Sequence, residues 1–239
     1  MFTQLPKRAH RGLYLSMPLT GFLALLSVEA CMANEDVYRL PPGGEQDACL
    51  SLILHARRTT RSFEPLSISQ TQVARLLWAA QGITSPEGYR TAPSAGALYP
   101  LELHLVAGDV EGLPAGSYRY DPARHTLTAT IQGDLRHAVA RAASNQQWIA
   151  GAPAVVVISA IESRTTAKYG HRGIRYVHME VGHASQNLLV QAVALELAGA
   201  IVGAFDDGGL KRLLQLPGEE HPLAILPVGH AISGASPGR

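Results

Sequence analysis

Residues 90–106 read RTAPSAGALYPLELHLV, a loop of small residues that runs directly into a strand. Residues 101–106 alternate in the manner of a half-buried β-strand. The loop before them, residues 84–100, is rich in Ser, Gly, Pro and Ala, and a loop of that length inside a compact domain is often functional. Small residues at 93–97 allow the backbone to approach a flat ligand closely. The same composition is also typical of a plain loop closed by prolines.

The elements on both sides of this stretch mix helices and strands without regular alternation. Apolar spacing predicts helices over residues 47–58, 66–81, 134–144, 174–197 and 208–214. Short apolar or alternating runs predict strands at 117–120, 126–130, 154–160, 201–204 and 223–228. Ser69 and Gln72 form a capping box for the second helix, and Gly82 ends it. This order favours an α+β sandwich in which helices pack on a small central sheet.

Composition places the chain among ordinary globular proteins. It has 239 residues, of which 46% are hydrophobic and 16% charged, enough for one domain with a full core. The formal net charge of +1 gives no field that would attract polyanions in general. Cys31 and Cys49 are the only cysteines of the sequence, so it contains neither a disulfide framework nor a CxxC metal motif.

The first 33 residues resemble a secretory signal peptide. Basic residues at 7, 8 and 11 precede a mostly apolar run over 13–28, and the small residues Ala30 and Ala33 follow as cleavage sites. The run is too short and interrupted for a good membrane span. We therefore expect a signal peptide at 1–33, a linker at 34–46 and a folded domain at 47–239, exported to the periplasm or membrane-associated. The alternative is a start at Met32, which would give a cytoplasmic protein.

Two short motifs contain donor groups that suit a ligand, one for an anion and one for a hydrogen-bond acceptor. RRTTRSF (57–63) places three guanidinium groups and three hydroxyls at a helix end, which suits a phosphate. GAFDDGG (203–209) follows a predicted strand, where free backbone N–H groups can face a ligand acceptor. Each motif has a purely structural alternative: a solvated basic helix end for the first, and a strand-to-helix turn with an Asp N-cap for the second.

The histidines of HMEVGH (178–183) do not form a metal motif. His178 and His183 are five residues apart, which puts them on diverging faces of a helix, whereas HExxH requires a spacing of four. A zinc site needs three or more convergent ligands. We therefore expect no metal.

These stretches together resemble the nitroreductase superfamily, and most closely its SagB-type branch of thiazole/oxazole (azoline) dehydrogenases. The resemblance covers residues 50–230. The residues that carry it are RRTTRSF (57–63), LLWAAQGIT (76–84), RTAPSAGALYPLELHLV (90–106), KYGHRGIRYVHMEVGHASQNLLVQA (168–192), GAFDD (203–207) and PLAILPVGH (222–230). It implies a nitroreductase-like sandwich, with a central, mainly antiparallel sheet flanked by helices.

The resemblance also implies an FMN-binding homodimer with two flavins at the subunit interface. Arg57 and Arg58 would hold the ribityl phosphate, Thr59 would hydrogen-bond the flavin, and Arg61 would lie at its pyrimidine edge. A cation there stabilises the negative charge that develops on flavin reduction.

The other cofactor contacts implied by the resemblance come from two loops. Small residues from the other subunit would line the flavin ring, namely Pro93, Ser94, Ala95, Gly96 and Ala97. Many relatives have Asn where this chain has Ala97, so a ring contact is missing there or comes from the main chain. Gly203 and Ala204 would offer a backbone N–H to flavin N5.

Lys168 and Tyr169 resemble the Lys-Tyr motif of azoline dehydrogenases, in a loop before the long helix. Oxidation of an azoline ring in a small molecule or peptide requires proton removal, for which Lys or Tyr is a suitable base. Three alternatives stay open: a merely structural Lys-Tyr pair, an NAD(P)H-dependent nitroreductase, and a non-catalytic flavin-binding or scaffold protein of a modifying complex.

Overall fold

The computed structural model describes residues 37–39 and 50–232. The predicted signal peptide (1–33) and most of the predicted linker (34–46) lie outside these residues and stay predictions. Residues 37–39, inside that linker, form a strand. None of the described helices is long and apolar enough to cross a membrane.

Helices and strands are mixed along the chain, as an α+β fold requires. The helices are α1 Leu50–Ala56, α2 Gln70–Gln81, α3 Arg136–Ala142, α4 Ser163–Tyr169, α5 Arg172–Ala194 and α6 Asp207–Leu213. The strands are β1 Val37–Arg39, β2 Ile68–Ser69, β3 Leu101–Ala107, β4 Val110–Glu111, β5 Gly116–Asp121, β6 Thr126–Gln132, β7 Ala154–Ile161, β8 Ala198–Gly199 and β9 Glu220–Gly229. Single 3-10 turns lie at Ala95–Ala97 and Gln147–Gly151.

The described strands form one large sheet in the order β1-β6-β5-β3-β7-β9-β8 and a small β2-β4 pair. All neighbours in the large sheet are antiparallel, whereas β2 and β4 are parallel. The expected mainly antiparallel sheet is thus confirmed.

Helices cover both faces of the sheet, because its central strands are apolar on both sides. In β7, Val156 and Ile158 belong to the core cluster that also contains residues of α2 and α5. Val155 and Val157, which alternate with them, pack in a second cluster with residues of α3 and α6. A strand buried on both faces reads as a continuous apolar run, which is the pattern seen in the sequence.

The capping box predicted for α2 is confirmed. Ser69 Oγ accepts a hydrogen bond from the Gln72 amide at 3.1 Å, and the Gln72 side chain accepts one from the Ser69 amide at 2.8 Å. Gly82 ends the helix, but its φ of −63° is open to any residue. Glycine is needed at this position because the Trp78 ring lies against it: a Cβ on residue 82 would be 2.3 Å from that ring.

Two sequence-based placements were wrong. Residues 201–204 were expected to form a strand, but β8 lies earlier, at Ala198–Gly199, and Val202 makes only an isolated bridge to Ile225. Lys168 and Tyr169 were expected in a loop, but they form the last turn of α4. Gly170, with φ of 57°, separates α4 from α5. The segment before the long helix is therefore a second, short helix and not the expected loop.

Candidate functional site

The segment after α1 lies beside the end of the sheet. Thr59 pairs with Gly199 of β8, and the Thr60 amide donates to the Gly199 carbonyl at 3.0 Å. Arg58 turns back and donates to the carbonyls of His55 and Arg57, at 2.8 Å each, so it caps the helix end. Arg57 is half-buried and has no ion pair within the described residues. Of the two arginines predicted to hold a phosphate, Arg57 therefore has the more available guanidinium.

Arg61 lies against an aromatic side chain that belongs to the second core cluster. Its guanidinium carbon is 5.9 Å from the centre of the Trp148 ring, within cation–π distance. Trp148 packs partly buried on that cluster and lies 6.5 Å from the Phe63 ring. Sequence analysis did not find this contact, because the two residues are far apart in the chain and no local pattern links them.

The backbone at Gly203 and Ala204 is open to a ligand. The Val202 amide donates to the Ile225 carbonyl and the Asp206 amide to the Ala142 carbonyl, both at 2.8 Å. Gly203 and Ala204, which lie between these two amides, are exposed. Within residues 37–39 and 50–232, the N–H groups of Gly203 and Ala204 have no backbone acceptor. A Cβ at Gly203 would meet nothing within 4 Å. Free amides of this kind can donate to a ligand.

The turn Gln147–Gly151 joins these two segments. Trp148 contacts Arg61, while Gln146 Nε2 donates to the Ala204 carbonyl at 3.4 Å. Residues 57–61, 146–148 and 203–204 thus form one group, here called the amide half-site.

The predicted small-residue loop has an unusual backbone. Gly96, Ala97 and Tyr99 have φ of 65°, 54° and 46°, the left-handed region that non-glycine residues rarely adopt. Ser94 stabilises this conformation twice: its carbonyl accepts from the Ala97 amide at 3.1 Å, and its Oγ accepts from the Tyr99 amide at 2.9 Å. Pro93 and Gly96 are exposed, so the loop presents a face to solvent.

Lys168 and Tyr169 meet this loop at Gly96. A Cβ placed on Gly96 would lie 2.8 Å from Tyr169 Oη and 3.0 Å from Lys168 Nζ. The Tyr169 ring packs edge-on against Tyr176, with 5.2 Å between ring centres, and so is held by α5. Residues 93–97, 168 and 169 form a second group, here called the loop half-site.

Arg164, one turn before Lys168 on α4, fixes the same loop. Its Nη1 donates to the Tyr99 carbonyl at 3.1 Å, and its Nη2 pairs with Glu102 at 2.7 Å. No sequence pattern indicates this contact, since Arg164 belongs to no recognisable motif.

A buried polar cluster lies beneath the loop half-site. Glu180 of α5 is 2% exposed and Gln81 of α2 is 1% exposed. Burial raises the pKa of Glu180 to about 7, against the lowering effects of Ser94, Arg90 and Gln81. Within HMEVGH, Glu180 is thus buried, whereas His178 and His183 are exposed on other faces of the helix. No cluster in the described part of the chain could hold a metal ion.

A second buried carboxylate, Glu220 of β9, lies inside the sheet. Burial alone would raise its pKa, but hydrogen bonds from His104 and Ser159 outweigh burial and lower the pKa. His104 and Ser159 both contact the same carboxylate oxygen. This arrangement is not a nucleophile–base–acid relay, because the hydroxyl is not bonded to the imidazole.

Both half-sites lie along α5. Tyr169 of the loop half-site packs on Tyr176 near the start of the helix, and the segment that leads into the loop is held near its end, where Asn187 Nδ2 donates to the Thr91 carbonyl at 3.1 Å. In the amide half-site, Thr59 pairs with Gly199, whose Cβ would be 3.1 Å from Leu189.

Comparisons with known proteins agree with this architecture. A family model described as the nitroreductase family matches residues 54–230. A protein of Methanocaldococcus jannaschii, whose name assigns it provisionally to the nitroreductases, is 42% identical over 180 residues, which is 75% of this chain and 90% of that protein.

Two solved structures that carry the same provisional name share the fold. The one from Ralstonia eutropha has a TM-score of 0.72 and 26% identity, covering 91% of this chain and 98% of that one. The one from Anabaena variabilis has a TM-score of 0.68 and 27% identity over 77% of this chain. This chain spans only 38% of the length of the Anabaena protein.

The contact at Gly96 predicts a local rearrangement when a side chain is added. Gly96→Ala should lower the free energy of unfolding by about 1–2 kcal/mol, because a left-handed φ is unfavourable for Ala. The new Cβ should also displace Lys168 Nζ and Tyr169 Oη. Urea unfolding and a crystal structure of the variant measure the two effects.

Gly88→Ala is the matched control, since Gly88 has φ of 85° but nothing within 4 Å of its Cβ position. It should show a similar stability loss with Lys168 and Tyr169 unmoved. If both side chains keep their positions in Gly96→Ala, the close approach described above is wrong.

Proposed function

The chain belongs to the nitroreductase family of FMN-dependent oxidoreductases, and from this premise we propose that it dehydrogenates an azoline-like ring in a small molecule or peptide. The observation that supports this proposal is the convergence of Lys168 Nζ and Tyr169 Oη on Gly96. In the family resemblance, the loop that contains Gly96 lines the flavin ring, so a base beside it would be beside the substrate.

The described residues fit an FMN. Arg57 has no ion pair within them and suits the ribityl phosphate. The free N–H groups of Gly203 and Ala204 suit the acceptor N5 of the ring, and Arg61 suits its pyrimidine edge. When bound, FMN supplies a hydride acceptor, which no amino-acid side chain provides.

Lys168 and Tyr169 would manage the proton of the reaction. Oxidation of an azoline to an azole removes two hydrogens from the ring, one as hydride and one as a proton. The proton would move to Nζ of a neutral Lys168 or to Oη of an ionised Tyr169. Because Lys168 is exposed and Tyr169 is half-buried, Lys168 can pass the proton on to solvent.

We further infer that the enzyme is a homodimer with shared sites. In the family resemblance the small-residue loop comes from the other subunit, so a complete site would combine the amide half-site of one copy with the loop half-site of a second. The surface supports this arrangement: α1 exposes Leu50, Leu52 and Leu54 by 60%, 68% and 49%. Leu50 and Leu54 lie one turn apart on the same face of the helix, and exposed apolar patches are typical of interfaces.

An NAD(P)H-dependent nitroreductase is the second candidate, favoured by the names of the relatives described above. Hydride leaves a nicotinamide without a general base, so that activity would not use Lys168 or Tyr169. A flavin-binding protein without turnover is a third outcome.

Purified protein should be yellow and should release FMN on denaturation. Arg57→Ala should raise the FMN dissociation constant about 10- to 100-fold, because a hydrogen bond to a charged group contributes roughly 1.5–3 kcal/mol. Fluorescence titration of the apoprotein with FMN measures the change. Arg141→Ala, an exposed arginine of α3, should leave the constant unchanged. A wild-type protein that takes up no FMN from excess would contradict the assigned cofactor.

Replacing Lys168 by Ala and Tyr169 by Phe should slow substrate oxidation by about 10²- to 10⁴-fold, the usual contribution of a positioned base. FMN binding and reoxidation by oxygen should persist, because neither step needs a base there. Stopped-flow kinetics with an azoline substrate separates the two half-reactions.

The control for the Lys-Tyr pair is the double variant Lys211→Ala, Tyr89→Phe, which changes the same residue types elsewhere. Any nitroaromatic reduction by NAD(P)H should survive in both double variants. If wild-type protein reduces nitroaromatics but oxidises no azoline, the second candidate replaces the first. Loss of flavin from the Lys168, Tyr169 variant would mean that the pair is structural.

Sedimentation should show a dimer in solution. Leu52→Asp should shift the equilibrium towards monomer and weaken FMN binding in parallel, since each site would lose its second half. Leu66→Asp, at a leucine that is 54% exposed outside α1, is the control and should leave both unchanged. A monomeric variant that still binds FMN tightly would refute the shared site.

A further inference from the structure

A cleft of about 470 Å³ lies between α4 and the hairpin that β5 and β6 form. Three arginines line it, Arg90, Arg119 and Arg164, together with two carboxylates, Glu102 and Asp121. Small-molecule pockets have volumes of roughly 300–1,000 Å³, so the cleft is large enough for part of a ligand. Its lining has more positive than negative charge, which favours an anion.

Glu102 holds two of these arginines with its two carboxylate oxygens. Arg164 Nη2 lies 2.7 Å from Oε1, and Arg119 Nη2 lies 2.9 Å from Oε2. The Glu102 side chain is only 12% exposed, whereas the side chains of Arg164 and Arg119 are 37% and 42% exposed. The two guanidinium groups therefore cover the carboxylate and stay accessible from solvent themselves.

Asp121, the second carboxylate of the cleft, is bound within the turn of the hairpin. Its Oδ1 accepts a hydrogen bond from the Ala123 amide at 2.8 Å, and its Oδ2 pairs with Arg124 at 3.2 Å. Arg124 does not itself line the cleft. The charge of Asp121 is thus compensated from outside the cleft, and Glu102 alone is shared by Arg119 and Arg164.

Arg90 adds a third positive charge from the side of the loop. Its Nη1 donates to Gln81 Oε1 at 2.7 Å, and its guanidinium lies 4.6 Å from the centre of the Tyr99 ring. Both partners are uncharged, and within residues 37–39 and 50–232 Arg90 forms no ion pair. A second anion in the cleft would compensate charge that Glu102 leaves in excess.

Arg164 connects the cleft with the loop half-site. Its Nη1 donates to the Tyr99 carbonyl at 3.1 Å, and Lys168 Nζ lies 3.0 Å from the position that a Cβ on Gly96 would take. Both side chains of α4 thus reach the same short stretch of the loop, residues 96–99. They are four residues apart, so they leave the same face of the helix about 6 Å apart along its axis.

We propose that this cleft is an anion subsite, which binds a carboxylate of the substrate one helical turn from Lys168. The contact of Arg119 with Glu102 uses Nη2, which leaves the other N–H groups of its planar guanidinium for a second carboxylate. Guanidinium and carboxylate match in geometry and form paired hydrogen bonds. The anion subsite stands on the contacts described above, whereas the assignment of its carboxylate to an azoline substrate rests on the proposed function.

Acetate is the probe for the subsite itself, in the protein as purified. Its titration should shift the Nε–H signals of Arg119 and Arg164 in a ¹⁵N NMR spectrum with one common dissociation constant. Arg119→Gln should raise that constant about tenfold or more, as expected when a hydrogen bond to a charged group is lost. Arg119 is chosen because Arg164 also holds Tyr99, so that its replacement would change the loop as well.

Arg124→Gln is the matched control, because Arg124 belongs to the same hairpin and pairs with Asp121 but lies outside the cleft lining. It should leave the acetate constant unchanged. Arg119→Lys keeps the charge without the planar guanidinium and should give an intermediate constant, which provides a second result should Arg119→Gln fail to fold. If acetate shifts neither arginine signal, or binds wild type and Arg119→Gln equally, the anion subsite is wrong.

Matched substrate pairs test the carboxylate assigned to the substrate and identify its source. If the carboxyl group is on the ring of a small molecule, an azoline-4-carboxylate should have a kcat/KM about 10- to 100-fold above that of its carboxamide. If it belongs to a neighbouring residue, a peptide with Glu directly after the azoline should have the same advantage over one with Gln. Arg119→Gln should remove the advantage of the charged substrate and leave the neutral one unchanged, whereas Arg124→Gln should affect neither.

The outcomes separate this inference from the proposed function. Acetate binding as described, in a protein that oxidises no azoline, would support the anion subsite and refute the proposed function. Azolines oxidised equally well with and without a carboxylate would support the proposed function and refute the carboxylate assigned to its substrate. A preference for the charged substrate that persists in Arg119→Gln would overturn the role of this cleft.

Discussion

The packing of α5 between α2 and the sheet is the constraint on which the candidate site depends. Val177, Ala184 and Leu188 are fully buried on the side of α5 that meets the core cluster shared with α2 and the central strands. A helix buried on this side for most of its length has one possible rotation about its axis, because any other would expose these residues. That rotation fixes where Glu180 and Tyr176 lie, and therefore what lies beneath and beside the loop at 93–97. It also positions β8, with which Thr59 pairs at Gly199, since β8 begins soon after α5 ends. The catalytic geometry proposed here is in this sense a consequence of core packing.

Local patterns were sufficient to predict most elements of this fold. The capping box at Ser69, the strand at β3 and the continuous apolar run of β7 each depend on neighbours in sequence, and each was found where expected, although β3 is buried on both faces and not on one. Val202 shows where such patterns fail. Its apolar surroundings predict a strand, but a strand requires a partner over several residues, and the chain turns away after one bridge to Ile225. Whether a partner strand continues alongside is decided by the tertiary structure, and it leaves no pattern in the local sequence.

The residues that surround the site also fall into two groups, those that sequence motifs identify and those that only the structure reveals. Arg57, Arg61, Gly203, Lys168 and the loop at 93–97 belong to motifs, and the resemblance to a family identified them. Arg164 and Trp148 belong to none, because each contacts a residue distant in sequence. Glu180 was noticed in sequence only as a neighbour of two histidines. Its position on a helix could be predicted, but its burial beside Arg90 and Gln81 depends on how α2 and α5 pack together.

The loop at 93–99 illustrates why such unmarked residues matter. Two of its non-glycine residues, Ala97 and Tyr99, have a left-handed backbone that is unfavourable by about 1–2 kcal/mol each. The loop itself has no charged side chain with which to offset this cost. Tyr99 is instead held from several sides: its amide by Ser94, its carbonyl by Arg164, and its ring and hydroxyl by Arg90. Because the backbone of this loop is unfavourable in isolation, its conformation persists only while the surrounding side chains keep their contacts. Ser94 accepts the hydrogen bonds of both the Ala97 and the Tyr99 amides, so the conformation of the whole loop depends on this one residue together with Arg90 and Arg164.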